Sequence, residues 1–148
     1  MNAIAEDALK VELGRRYRFA ASHRLHSDRL SEEENSRLYG KCNNPHGHGH
    51  NYIVEVTLEG DPDPVSGMVL DLKELKAILN REVVGPFDHR FLNKEVPPFD
   101  RTIPTVENIA IEIWNRIHPS LSKPPALLHS VRVYETGDLY VDYFGDAR

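Results

Sequence analysis

A chain of 148 residues with 40% apolar and 28% charged side chains has the composition of an ordinary globular protein. It reads as one domain, residues 1–148, long enough to bury a core without staples. The net charge of −5 argues against a nucleic-acid surface, and the single cysteine leaves no intramolecular disulfide to expect. No run approaches the roughly 18 apolar residues of a membrane-spanning helix, and Met1 to Asp7 lacks an apolar signal core, so a reducing cytoplasm is the expected compartment.

Leu9 to Ala21 alternates in part through Val11, Leu13, Tyr17 and Phe19, predicting a strand that ends near Ser22-His23. Arg15, Arg16 and Arg18 within it read as a solvated strand face. Arg24 to Gly47 is polar, with a short helical turn expected at Ser31 to Asn35. Excursions of that length are functional or disordered, and the presence of Cys42 favours function. Asn51 to Leu58 alternates as a half-buried strand does. A turn cluster at Gly60 to Gly67 leads into an expected short strand, Met68-Val69-Leu70. Asp71 is then placed to cap a helix carrying Leu72, Leu75, Ile78, Leu79 and Val83, which Gly85-Pro86 is expected to stop. Phe87 to Pro104 reads as irregular. Thr105 caps a second amphipathic helix reaching His118, and Leu128 to Tyr134 with Leu139 to Phe144 form a last hairpin turning at Thr136-Gly137-Asp138. This order implies an α+β fold, two helices on one face of an antiparallel sheet.

The chemistry concentrates in Cys42-Asn43-Asn44-Pro45-His46-Gly47-His48-Gly49-His50. Alternate residues of a strand share a face about 6.6–7 Å apart, so His48 and His50 can close on one cation. His46 offers the same spacing with His48, but the regular alternation starts at Asn51-Tyr52 and favours the later pair. A catalytic zinc site takes three protein ligands and keeps one open position. His23, at the end of the preceding strand, is the best-placed third ligand, with His26 as its rival.

Cys42 stands in a polar loop, where Lys41 and a bound cation would lower its thiol towards neutrality and poise it as nucleophile or base. The alternative is a small buried apolar residue. Asp88-His89 could relay a proton, the carboxylate orienting the imidazole, or form an ordinary surface turn. Glu135 could meet a flat amidine-bearing heterocycle with two charge-assisted hydrogen bonds, or be a plain strand-end glutamate.

Together, Phe19-Ala20-Ala21-Ser22-His23-Arg24-Leu25, Tyr39-Gly40-Lys41-Cys42-Asn43-Asn44-Pro45, Gly47-His48-Gly49-His50-Asn51-Tyr52, Asp63-Pro64-Val65-Ser66-Gly67-Met68-Val69, Asp88-His89, Thr105-Val106-Glu107-Asn108 and Val133-Tyr134-Glu135-Thr136 resemble the 6-pyruvoyltetrahydropterin synthase family. The resemblance implies a tunnelling fold (T-fold), with subunits joined into a β-barrel and a homohexamer of two trimers with sites between subunits. It implies zinc held by His23, His48 and His50, Cys42 as the proton-moving base, and Asp88 and His89 completing the relay. Glu135 would anchor the pterin and Thr105 would line its pocket. The implied substrate is 7,8-dihydroneopterin triphosphate and the products are 6-pyruvoyltetrahydropterin and triphosphate, with magnesium as an optional companion of the polyphosphate. The related 6-carboxytetrahydropterin synthases of 7-deazaguanine biosynthesis have their cysteine four residues before the first histidine of the pair. Cys42, His46 and His48 satisfy that spacing too.

Two readings from other classes remain on chemistry alone. A zinc hydrolase would use the three histidines and have no need of Cys42 or Glu135. A structural zinc module would close the site with Cys42 as fourth ligand.

Overall fold

Two 13-residue strands dominate the sheet because their sequences alternate for long enough to give one continuous apolar face. The computed structural model describes residues 11–146. β1 (Val11–His23) and β2 (His48–Gly60) pair antiparallel along their whole length, from Val11 opposite Gly60 to His23 opposite His48. Directly paired residues of an antiparallel ladder project from the same face. Tyr17, Phe19, Ala21 and His23 therefore share a face with His48, His50, Tyr52 and Val54. Phe19 and Tyr52, opposite one another, stack at 5.1 Å.

β5 (Ala126–Tyr134) pairs with the other edge of β2, with a bulge between Thr57 and Leu58. Two short strands share the outer edge of β5: β4 (Ser122–Lys123) at its start and β6 (Tyr140–Tyr143) at its end. β3 (Arg90–Phe91) runs parallel to β1 at Ala21 and Ser22 only. Along the rest of its length, among the described residues, the outer edge of β1 has no neighbour.

α1 (Glu32–Tyr39) lies in the loop before β2, closed at its N-terminus by a Ser31/Glu34 capping box. α2 (Leu72–Leu79) and α5 (Val106–Ile117) cover the apolar face, burying Leu75, Ile78, Leu79, Ile109, Ile113 and Trp114 against the strands. Burial of side chains this size stabilises by about 1.5–3 kcal/mol each, so this interface holds the helices on the sheet. Asp71 and Thr105 cap the two helices as expected, accepting from Lys73 N at 2.9 Å and Asn108 N at 3.3 Å.

Two expectations are corrected. Val69 and Leu70 form no strand: Val69 is buried, packing across Gly60, but the Asp63-centred turn leaves the segment no ladder neighbour. Gly85-Pro86 does not stop the second helix. After α2 the chain widens into a π-turn over Asn80–Val84, with Gly85 N donating to Asn80 O, and continues through α3 (Gly85–Phe87). Pro86 sits in the first turn of that new segment, where a missing N–H does no harm. The stretch read as irregular also holds β3 and a single turn, α4 (Leu92–Glu95).

Candidate functional site

At one end of the shared sheet face the apolar pattern gives way to histidine without any change of register. His23 is wholly buried, and its ring centroid lies 4.8 Å from His48 and 5.5 Å from His50. The third separation, His48 to His50, is 5.7 Å. Ala21, directly opposite His50, is small enough to leave the rings room.

The hydrogen bonds fix which nitrogen is free. His23 Nδ1 lies 2.8 Å from Pro104 O and 3.2 Å from Tyr52 Oη. A carbonyl only accepts, so Nδ1 carries the proton and Nε2 keeps its lone pair. His50 Nδ1 likewise faces Asn51 O at 3.2 Å. The Nε2 atoms of His23, His48 and His50 are all buried with no hydrogen-bond partner. Three clustered imidazoles with orphaned Nε2 atoms, two of them backed by a carbonyl, are the arrangement a metal ion satisfies. The donor set fits the implied zinc.

Glu135 follows β5 and brings its Oε1 to 4.0 Å from His23 Nε2 and 3.8 Å from His50 Nε2. Its carboxylate could join His23 and His50 around an ion as readily as face a heterocycle above them. Burial pushes the His23 imidazole down to about 4, opposed by the bond to Pro104 and assisted by His48 and His50. Burial also raises Tyr52, with Glu135 and Cys42 adding to it.

Cys42 is half-buried at the rim, close enough to Glu135 for that carboxylate to act on it. Its thiol is raised by burial and then by Glu135, the reverse of the lowering expected from Lys41. Lys41 is exposed, so its charge is spent on water. Thr105 is half-buried, its hydroxyl engaged as the α5 cap immediately after Pro104.

Asp88 and His89 are held against β1. Asp88 accepts from Ala20 N at 2.9 Å and His89 N donates back to Ala20 O at 2.6 Å, binding the pair to β1. His89 holds φ +59°, and its side chain is 82% exposed, 3.0 Å from the Asp88 carboxylate. The Ala20 amide, and then His89, keep Asp88 below the usual carboxylate range. A 310 Å³ groove has both His50 and His89 in its wall. Of the alternatives, His46 is exposed, and His26 hydrogen-bonds Asn43 at 3.1 Å; both line a separate cleft.

Sequence reasoning missed Pro104 and Tyr52, which orient His23. Neither carries a signal of its own, since a backbone carbonyl works with any side chain and Tyr52 reads as core. A second cluster, Glu12, Glu59 and His129, lies on the other sheet face. There both imidazole nitrogens already face carboxylates, at 2.9 and 3.8 Å, an ion pair and not an open site.

A helix-backed antiparallel sheet ending in a three-histidine centre places the molecule among the α+β enzymes of the tunnelling-fold class. The family model described as 6-pyruvoyl tetrahydropterin synthase matches residues 12–146, and the chain belongs to that family. The 6-pyruvoyl tetrahydrobiopterin synthase of Homo sapiens is 46% identical over 137 residues, 93% of each chain. That of Poecilia reticulata is 49% identical over 128 residues, 86% of each. The structure of Caenorhabditis elegans 6-pyruvoyl tetrahydropterin synthase superposes with a TM-score of 0.87 at 42% identity, covering 94% of this chain and 98% of that one.

Proposed function

We propose that the chain is a lyase converting 7,8-dihydroneopterin triphosphate to 6-pyruvoyltetrahydropterin and inorganic triphosphate, with zinc held by His23, His48 and His50. The observation that carries this reading is the clustering of three histidine rings whose buried Nε2 atoms have no partner, beside Cys42 and Glu135. When bound, zinc would supply Lewis acidity to the substrate's side-chain hydroxyls. The chain's own residues do the rest. Pro104 and Tyr52 hold the His23 ring in one tautomer. Glu135 accepts the pterin's amidine-like N–H groups, and Thr105 borders the ring. Cys42 takes a proton from the side chain and returns it. A thiol raised by its surroundings is the stronger base once deprotonated, which suits the removal of a carbon-bound proton.

The reaction needs no outside oxidant. The dihydropterin ring is reduced while the side-chain carbinols become carbonyls, and triphosphate leaves by elimination, magnesium accompanying it where present.

Asp88-His89 points outward from its own chain, so we place it against Cys42 of a neighbouring subunit, in a homohexamer whose trimers close a barrel. The unpaired outer edge of β1 supports this: an edge of that length invites another strand. No helix among the described residues is long and apolar enough to cross a membrane, and we assign the enzyme to the cytoplasm as a single-domain subunit.

The test is mass-spectrometric product analysis after incubating zinc-loaded protein with 7,8-dihydroneopterin triphosphate. 6-Pyruvoyltetrahydropterin with free triphosphate is expected. 6-Carboxytetrahydropterin with acetaldehyde would move the enzyme to the deazaguanine branch, and no turnover would overturn the reading.

A further inference from the structure

Cys42 lies outside the ladder that holds the histidines. It sits in a single 3₁₀ turn, Gly40–Asn43, between α1 and the start of β2. Gly40 enters that turn at φ +55° with open space where a Cβ would lie, and Lys41 is exposed. Neither residue can fix a thiol. Yet a group that moves a proton must be held closely, since a misplacement of about 1 Å can cost about 10²-fold in rate.

The ties to this turn come from residues just past the end of β1. Cys42 O accepts from Leu25 N at 2.8 Å. The next residue, Asn43, donates from Nδ2 to Leu25 O at 2.8 Å and to His26 Nδ1 at 3.1 Å. Its own carbonyl accepts from Arg24 Nε at 3.0 Å. Both backbone groups of Leu25 are thus taken up by Cys42 and Asn43. In an antiparallel ladder a residue exchanges both such bonds with the one opposite. Here β1 has already ended at His23, and the Asn43 carboxamide supplies the N–H that a strand backbone would. The thiol-bearing residue is thereby referenced to Leu25, which follows the metal-facing His23 by two positions.

The chemistry of the clamp calls for a carboxamide. Leu25 O only accepts, so the nitrogen of the amide faces it, and its second proton meets His26 Nδ1. Aspartate has the same shape but no donor, and would set a carboxylate against two acceptors. Another asparagine of the same excursion does a different job. Asn35 is wholly buried, with Nδ2 facing Ser27 O, Leu30 O and Ser31 O and Oδ1 accepting from Ser27 N. It ties the excursion to itself and does not reach Cys42.

We infer that Asn43 is a positioning residue: its carboxamide clamps Leu25 and so fixes the Cys42 thiol relative to His23. That the thiol acts as base rests on the proposed function, whereas the clamp rests on these contacts alone.

The experiment pairs two readouts on the metal-loaded protein. One is the rate at which iodoacetamide alkylates Cys42 without substrate; the chain has a single cysteine, so every adduct reports on it. The other is steady-state turnover of 7,8-dihydroneopterin triphosphate. Asn43→Ala should be alkylated severalfold faster, keep its metal, and lose about 10²-fold in kcat with KM little changed. Asn43→Asp should lose kcat comparably, and Asn43→Gln, which keeps both donors on a longer stem, should retain more than Asn43→Asp. Asn35→Ala should lower the denaturation midpoint while disturbing kcat and alkylation less than Asn43→Ala does. Wild-type kcat and alkylation in Asn43→Ala and Asn43→Asp would overturn the proposal. So would a greater loss of kcat in Asn43→Gln than in Asn43→Asp, or a loss of metal or rise in KM that accounts for the whole effect. If the wild type turned over no substrate but Asn43→Ala still freed the thiol, the clamp would stand and the catalytic reading would fall.

Discussion

The two groups of histidine chemistry in this chain are built in opposite ways. His23, His48 and His50 sit on the buried sheet face, their orientation set by a thirteen-residue ladder and a backbone carbonyl. The Asp88-His89 pair sits outside, joined to β1 by two backbone contacts, with the imidazole 82% exposed. The first group is assembled from β1 and β2 of one chain. The second is tied to β1, and its His89 shares the wall of a groove with His50. One group is thus shaped by the sheet and a backbone carbonyl, and the other is displayed towards solvent.

The sharpest way to break this contrast is at the buried group. His48→Ala should abolish metal binding and lower turnover by about 10³-fold or more, read by metal analysis alongside activity. Full metal content would hand the role to His46. Next, Cys42→Ala should keep fold and metal and lose about 10²–10⁴-fold in turnover; retained turnover would favour the hydrolase reading. Here the outward group becomes testable. Hexamers mixed from Cys42→Ala and His89→Ala subunits should regain activity that neither parent has, since some interfaces would join an intact Cys42 to an intact His89. No recovery on mixing would place both groups in one subunit's site. A smaller loss is expected for Glu135→Ala, about 10–100-fold in pterin affinity, the size of a charge-assisted hydrogen-bond pair.

The inner group was legible from spacing because a strand converts i, i+2 into a shared face, and His23 followed from its place at the end of the preceding strand. The structure adds that β2 starts at His48 itself, which places both histidines on the ladder. What stayed hidden has physical causes. Pro104 acts through its carbonyl, and the π-turn at Asn80–Val84 leaves the period of its side chains looking helical. Gly85-Pro86 reads as a stop wherever the chain does not first widen. The thiol of Cys42 was read from the adjacent Lys41, whereas its surroundings are set by burial and by Glu135, 93 positions along the chain.

Acid should also separate the two groups. His23 has its imidazole depressed from 6.5 to about 4, chiefly by burial, so the unfolded chain binds its proton more readily than the folded one. Stability of the metal-free protein is then whole above pH 6.5 and falls as pH drops towards 4, by about 3 kcal/mol over that window. Denaturant titrations at pH 7 and pH 4.5 would show it as a lower midpoint at the acid end. His23→Gln should flatten that part of the profile. His89→Gln, changing a solvated ring, should leave it in place, and an unchanged slope in His23→Gln would show that the burial of His23 is not its source.

Gly47, set between His46 and His48, gives the finest test. Gly47 adopts φ +72°, where a side chain is strained, and the added methyl of Gly47→Ala would press on His23 O and the Phe91 ring, each 3.1 Å away. The backbone term alone is about 1–2 kcal/mol. It falls on the residues that align His23 with His48 and does not touch Ala20, Asp88 or His89. Metal affinity should therefore drop while the fold survives, and Asp88-His89 should still complement Cys42→Ala in mixed hexamers. If metal affinity held and complementation failed, the strain would have passed along β1 to Ala20, and the two groups would be mechanically joined despite their separate construction.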